Sequence, residues 1–272
     1  RSCAKPRFVR PIHLAQAAAI LGALLSACSV PVSLVVPVGS DSIVPTDEIT
    51  SAARESGFAV EIVDLDQVDQ DELDTGGNIV YWMGGSQTAP TGAVSLSLDR
   101  MDGTEEAGRF AGELVNGTAG TLPPTVVAQV GSVGDRLLER FTLGFNEVVP
   151  DQDPVVQREG VSADPQDIAR RLGENEIGPV ALLLGDRSIL VLEEYRRRRS
   201  NGAVDIIIEL PSARDGRDLN TALSQLATTN ARLQVKAAIT PDFQRFFQSA
   251  REATKNPEVL MPTQIPTKLT RY

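Results

Sequence analysis

His13, Cys3 and Cys28 are the chain's only histidine and cysteines. Ser-His-Asp and Cys-His sites need an imidazole to take the nucleophile's proton, because no other side chain ionises near neutral pH unaided. With its one histidine among the first residues, the rest of the sequence offers no such site. Two cysteines exclude a zinc centre of the all-cysteine type. Carboxylate chemistry survives: 36 Asp and Glu could supply the facing acid and base of a glycosidase. No pair is marked out among them, however, and acids in that number read as solvated surface. Tyr81-Trp82-Met83-Gly84-Gly85 closes a strand, where two glycines would let a ligand approach the backbone, or the aromatics pack under a helix. Gly131-Ser132-Val133-Gly134-Asp135 precedes a helix and could turn N–H groups toward an anion. It lacks the Lys-Ser/Thr of a P-loop and the third glycine of a dinucleotide fingerprint, so no cofactor is expected. Asp186-Arg187 is a cleft pair or a helix cap. Arg196 to Arg199 form a basic run in the last turn of a helix, favourable to its dipole or available to a partner.

Cys28 has a different setting. Arg1, Lys5, Arg7 and Arg10 lead the chain, no acidic residue occurs before Asp41, and Leu14 to Leu25 is apolar. Basic head, apolar segment and small residues are the layout of a secretory signal; a spanning helix would need roughly 20 apolar residues. Leu25-Ser26-Ala27-Cys28 resembles the bacterial lipoprotein box. The resemblance implies cleavage before Cys28, acylation of that cysteine (palmitate among the chains), and a lipid-anchored protein of the bacterial cell envelope, periplasmic or surface-facing. Each buried methylene contributes about 0.8 kcal/mol to such an anchor. With residues 1–27 removed as a signal peptide, 22 of the 26 basic side chains remain against 36 acidic ones, a net charge of −14. That surface disfavours nucleic acid, whose binding depends on Lys and Arg neutralising phosphates. It gains nothing from anionic lipid, so attachment rests on the acyl chains.

The elements that would position a site alternate along the chain. Apolar runs at 31–38, 58–65, 78–83, 93–98, 125–130, 153–161, 178–185, 203–210 and 233–239 predict strands, several too apolar to face water. Between them, 3.6-residue periodicity predicts helices over 46–57, 104–117, 135–149, 164–176, 187–199, 218–231 and 241–255. Thr46 caps the first, Gly57 stops it, and Pro165 opens the fourth. Three prolines leave the tail at most a short edge strand. The pattern predicts an α/β protein: two doubly wound parallel-sheet lobes joined by a hinge. The Pro123-Pro124 turn separates lobe 1 (28–122 and 241–255) from lobe 2 (123–240 and 256–272).

Asp99-Arg100, the Gly108-to-Ala111 helix, Val126 to Gly131 and Gly144-Phe145 resemble corresponding parts of the type I periplasmic binding proteins and the effector domains of lac-repressor-type regulators. The resemblance covers about residues 90–255. It implies a hinge crossed several times and a ligand held between the lobes, beyond the carboxyl ends of the strands. By that resemblance Ser40 and Asp41 occupy the loop after the first strand, Asp99 and Arg100 the end of the fourth, and Asp186 the second lobe. The family's remaining arginine position falls on Glu139, flanked by Arg136 and Arg140; Arg136 is the candidate. Trp82, the one tryptophan, is the aromatic candidate. The loop Gly39 to Thr46 lacks the aromatics that pack on a sugar ring.

The expectation is a solute-binding lipoprotein that closes on a small, polar, sugar-like solute. It would deliver that solute to an ABC transporter permease or report it to another envelope membrane protein. The alternative is an envelope interaction scaffold that keeps the fold and has no ligand. A carboxylate-dependent hydrolase is a distant third.

Overall fold

A computed structural model of the chain describes residues 30–36, 46–64, 79–83, 89, 92–117, 122–173, 178–185, 187–198, 203–210 and 233–272. Cys28, Ser40, Asp41 and Asp186 lie outside the described residues, as do the leader and the helix expected over 218–231.

Valine- and isoleucine-rich runs build a first sheet from β1 (Val30–Val36), β2 (Phe58–Asp64), β3 (Ile79–Trp82) and β4 (Val94–Ser95), in the order β2-β1-β3-β4. All its pairings are parallel. Branched side chains pack well on a pleated, covered surface, which is why such runs form strands. One face is covered by helix α1 (Thr46–Glu55), through Ile49, Ala52 and Ala53. Near the other end of the sequence, helix α6 (Phe243–Lys255) joins it there through Phe243, Phe246, Phe247 and Ala250. These meet Val32, Leu34, Val36 and Tyr81, with the Tyr81 and Phe246 rings edge-on at 5.0 Å. Ser97–Leu98, β5, continues past β4 and pairs instead with β11 (Gln264–Ile265) in parallel. The run expected over 93–98 is thus divided at Leu96, whose N–H donates to the Trp82 carbonyl at 2.8 Å.

The second sheet has six strands: β6 (Thr125–Gln129), β7 (Val155–Glu159), β8 (Val180–Leu183), β9 (Val204–Glu209), β10 (Leu233–Pro241) and β12 (Thr267–Arg271). Their order is β12-β10-β9-β8-β6-β7, parallel except for β12. On one face lie α2 (Met101–Asn116) and α3 (Ser132–Val148), with Ala107, Ala111, Phe141 and Phe145 against Val126, Ala128, Ala181 and Ile207. The other face carries α4 (Pro165–Gly173) and α5 (Arg187–Arg198), through Ile168, Leu172, Val191 and Tyr195. Helices on both faces make this the doubly wound arrangement expected.

The packing moves two segments across the expected lobe boundary. Helix α2, grouped by sequence with the first lobe, lies on the second sheet, because its alanine and glycine face meets α3 at backbone distance. A Cβ on Gly108 would collide with the Phe141 carbonyl, and one on Gly144 with the Glu105 carbonyl. The tail also divides: β11 pairs with β5 in a separate two-stranded sheet, whose Leu98 and Ile265 join the core of the first sheet, and β12 edges the second sheet.

The chain therefore passes between the sheets three times: from β5 to α2, from β10 to α6, and from β11 to β12. The crossings are bonded together. Asp99 N–H donates to the Ile265 carbonyl at 2.8 Å, Asp242 N–H to the Pro266 carbonyl at 2.7 Å, and Gly103 N–H to the Thr267 hydroxyl at 3.1 Å.

Candidate ligand site between the two sheets

Parallel strands end together, so the residues beyond their carboxyl ends form the rim of each sheet. Asp99 and Arg100 stand on that rim at the end of β5, as expected. Asp99 Oδ1 accepts the Met101 N–H at 3.0 Å, closing the start of α2, while Oδ2 has no hydrogen bond among the described residues. The Arg100 carbonyl accepts the Thr104 hydroxyl at 2.7 Å, which fixes the backbone at the crossing.

Sequence reasoning missed Glu209. It ends β9, its side chain is 1% exposed, and it binds Arg100 with both oxygens: Nε to Oε1 and Nη2 to Oε2. The Gly185 N–H, at the end of β8, donates to the same Oε2 at 2.8 Å. Three chain segments distant in sequence thus meet at one buried carboxylate. The signal was an acid directly after the three isoleucines Ile206 to Ile208, where a buried charge needs a partner. Arg100 is one-fifth exposed. Two of its five N–H groups serve Glu209, and Nη1 has no hydrogen bond among the described residues. Electrostatically the pair is neutral, and the planar guanidinium is fixed with one edge uncommitted.

Other expected residues are placed elsewhere. Trp82 is 1% exposed, packed with Val35 and Val80 on the face of the first sheet opposite α1 and α6. A ring so covered has no face to offer a solute, which corrects its place among the ligand candidates; the alternation of β3 turns it inward. Arg136 is exposed on the second turn of α3. Arg187 braces the second lobe: its guanidinium donates to the carbonyls of Gly160, Val161 and Ala163, at 3.1 Å and 2.7 Å for the first two. Exposed valines occupy the same rim, Val130 after β6, Val133 in the first turn of α3, and Val161 after β7.

Tyr81 is fully buried and its hydroxyl has no hydrogen-bond partner among the described residues. Burial pushes its phenol well above its ordinary pKa of 10. An open hollow of about 590 Å³ lies far from this chemistry, at the amino-terminal edge of the first sheet, lined by Glu55, Gly57, Gln244, Gln248, Arg251 and Lys255. Among the described residues, no cluster of His, Cys, Asp or Glu could hold a metal ion. No described helix is long and apolar enough to cross a membrane.

No protein-family model matches the chain, nor does any curated protein. Solved structures do match. A LacI transcriptional regulator from a Rhodococcus species aligns at a TM-score of 0.51 and 13% identity, over 89% of this chain and 96% of that one. The periplasmic component of an ABC-type sugar transport system from Hahella chejuensis aligns at 0.49 and 12%, covering 89% and 100%. A galactofuranose binding protein aligns at 0.48 and 17%, covering 89% and 94%. These neighbours are binding proteins and regulators. The architecture shared with the Rhodococcus regulator is the type I periplasmic-binding-protein fold, two α/β lobes crossed three times by one polypeptide.

Proposed function

We propose that this protein binds a small, neutral, polar solute between its two lobes, without catalysis, as a lipid-anchored component of a bacterial envelope. The observation that carries the reading is the Arg100–Glu209 pair. A cation already compensated by a buried carboxylate gains little from an anionic ligand. Its uncommitted Nη1 edge, with Asp99 Oδ2 one residue away, offers a fixed donor and acceptor suited to hydroxyl groups. Planar groups held before the ligand arrives lose little conformational freedom on binding. Ser40, Asp41 and Asp186 would complete the contacts. Cys28, behind a basic and apolar leader, supplies the anchor, and an ABC permease or a membrane sensor receives the solute.

A scaffold without a ligand is the second reading, and the buried Trp82 favours it, since no described aromatic faces the rim. Thermal denaturation of the mature chain against a panel of neutral sugars and other polyols separates the two. At a hundredfold excess over Kd, binding adds about 2.7 kcal/mol. For a domain of this size that raises Tm by about 5–10 °C. The binder shifts with one member of the panel, and Arg100→Met loses that shift; a scaffold shifts with none.

A further inference from the structure

We infer that the amino-terminal edge of the first sheet rests on the bilayer headgroups, so that the solute crevice opens on the side away from the membrane. The inference depends on acylation of Cys28 and adds an orientation to it. Only Ser29 separates Cys28 from Val30, the first residue of β1. Two peptide steps reach about 7 Å at full extension. Val30 is anchored in the fold, its N–H donating to the Gly57 carbonyl at 3.1 Å and its strand paired residue by residue with β2. The domain therefore has no spacer that would let it tumble.

Strand direction sets the rest. β1, β2, β3 and β4 are parallel, so the edge holding Val30 and Gly57 lies opposite the edge from which Asp99 and Arg100 lead to the second lobe. Seven residues at about 3.3 Å each put that rim about 20 Å above the anchored edge. The anchored edge carries the hollow between the ends of α1 and α6. There Arg251 and Lys255 stand beside Glu55 and Glu252, a locally neutral balance on a chain of net charge −10. Headgroups, anionic or zwitterionic, can meet this edge without the repulsion that the acidic remainder would meet. The partner that takes the solute must accordingly stand clear of the bilayer by at least the height of the first lobe.

The test uses the full chain, processed and reconstituted into phosphatidylcholine vesicles with a rhodamine-headgroup lipid. Cleavage removes Cys3 and the acyl chain occupies the thiol of Cys28, so Gln248→Cys, in the hollow, and Val161→Cys, on the far rim, each give one labelling site. Energy transfer to the lipid should be severalfold stronger from position 248. Inserting twenty Gly-Ser residues between Ser29 and Val30 should abolish that difference while the protein still floats with the vesicles. Equal transfer in the unlengthened protein overturns the orientation and leaves the anchor standing. A protein that neither floats nor carries an acyl mass at Cys28 overturns the anchor, and the orientation with it.

Discussion

Glu209 is the residue on which the site turns, and its energetics are those of a buried charge. Breaking a buried pair leaves one member uncompensated, so Arg100→Met should cost about 3 kcal/mol in urea denaturation. Arg100→Met combined with Glu209→Leu should cost less than Arg100→Met alone, because it leaves only the Gly185 N–H unpartnered. Simple additivity would show that the two groups do not depend on each other. Tyr81 is the opposite case, a buried hydroxyl with no partner among the described residues. Tyr81→Phe should stabilise the protein by about 1 kcal/mol, since it removes an unmet polar group and keeps the ring against Phe246. The pH dependence follows from the raised phenol. Above its ordinary pKa of 10 the unfolded chain releases the proton while the folded chain keeps it. Stability then falls as the pH rises from there, with a slope that Tyr81→Phe removes.

Among the elements, helices α2 and α3 depend on glycine where their backbones touch. Gly144→Ala should destabilise by about 3 kcal/mol, because the added carbon meets a carbonyl that cannot move without its helix. An unchanged denaturation midpoint would contradict that contact. Most of these elements were legible in the sequence. The strands from Thr125 to Glu209 and all six described helices announce themselves by apolar runs and 3.6-residue stripes, because burial on one or both faces dictates those patterns. The stripe on α2 shows that the helix has a covered face and not which sheet covers it, so its membership had to come from packing. The division of 94–98 between β3 and β11 was equally hidden, since pairing partners 167 residues apart, as Ile265 opposite Leu98, leave no local trace. Asp99 and Arg100 were readable at a strand end. Their engagement with Glu209, 109 residues away, was not. Trp82 misled because an aromatic near a glycine pair looks the same in sequence whether it faces a crevice or a core.

For the molecule as a whole, the three bonded crossings and the pair at the β9 rim make one system. The lobes are joined where the candidate ligand groups stand, so under the proposed function a solute held by Arg100 and Asp99 would act directly on the crossing segments. A surface pair also spans the crossings, Arg245 to Asp102 at 2.6 Å, with both side chains largely exposed. Arg245→Ala should change stability by less than about 1 kcal/mol; a larger loss would mean that this pair locks the hinge. Native mass spectrometry of the mature chain, incubated with a mixed panel of neutral sugars and polyols, is the most direct test of solute binding. The account predicts a one-to-one complex with a single class of solute, lost in Arg100→Met. A spectrum of the bare chain alone, across the whole panel at millimolar concentration, would contradict it.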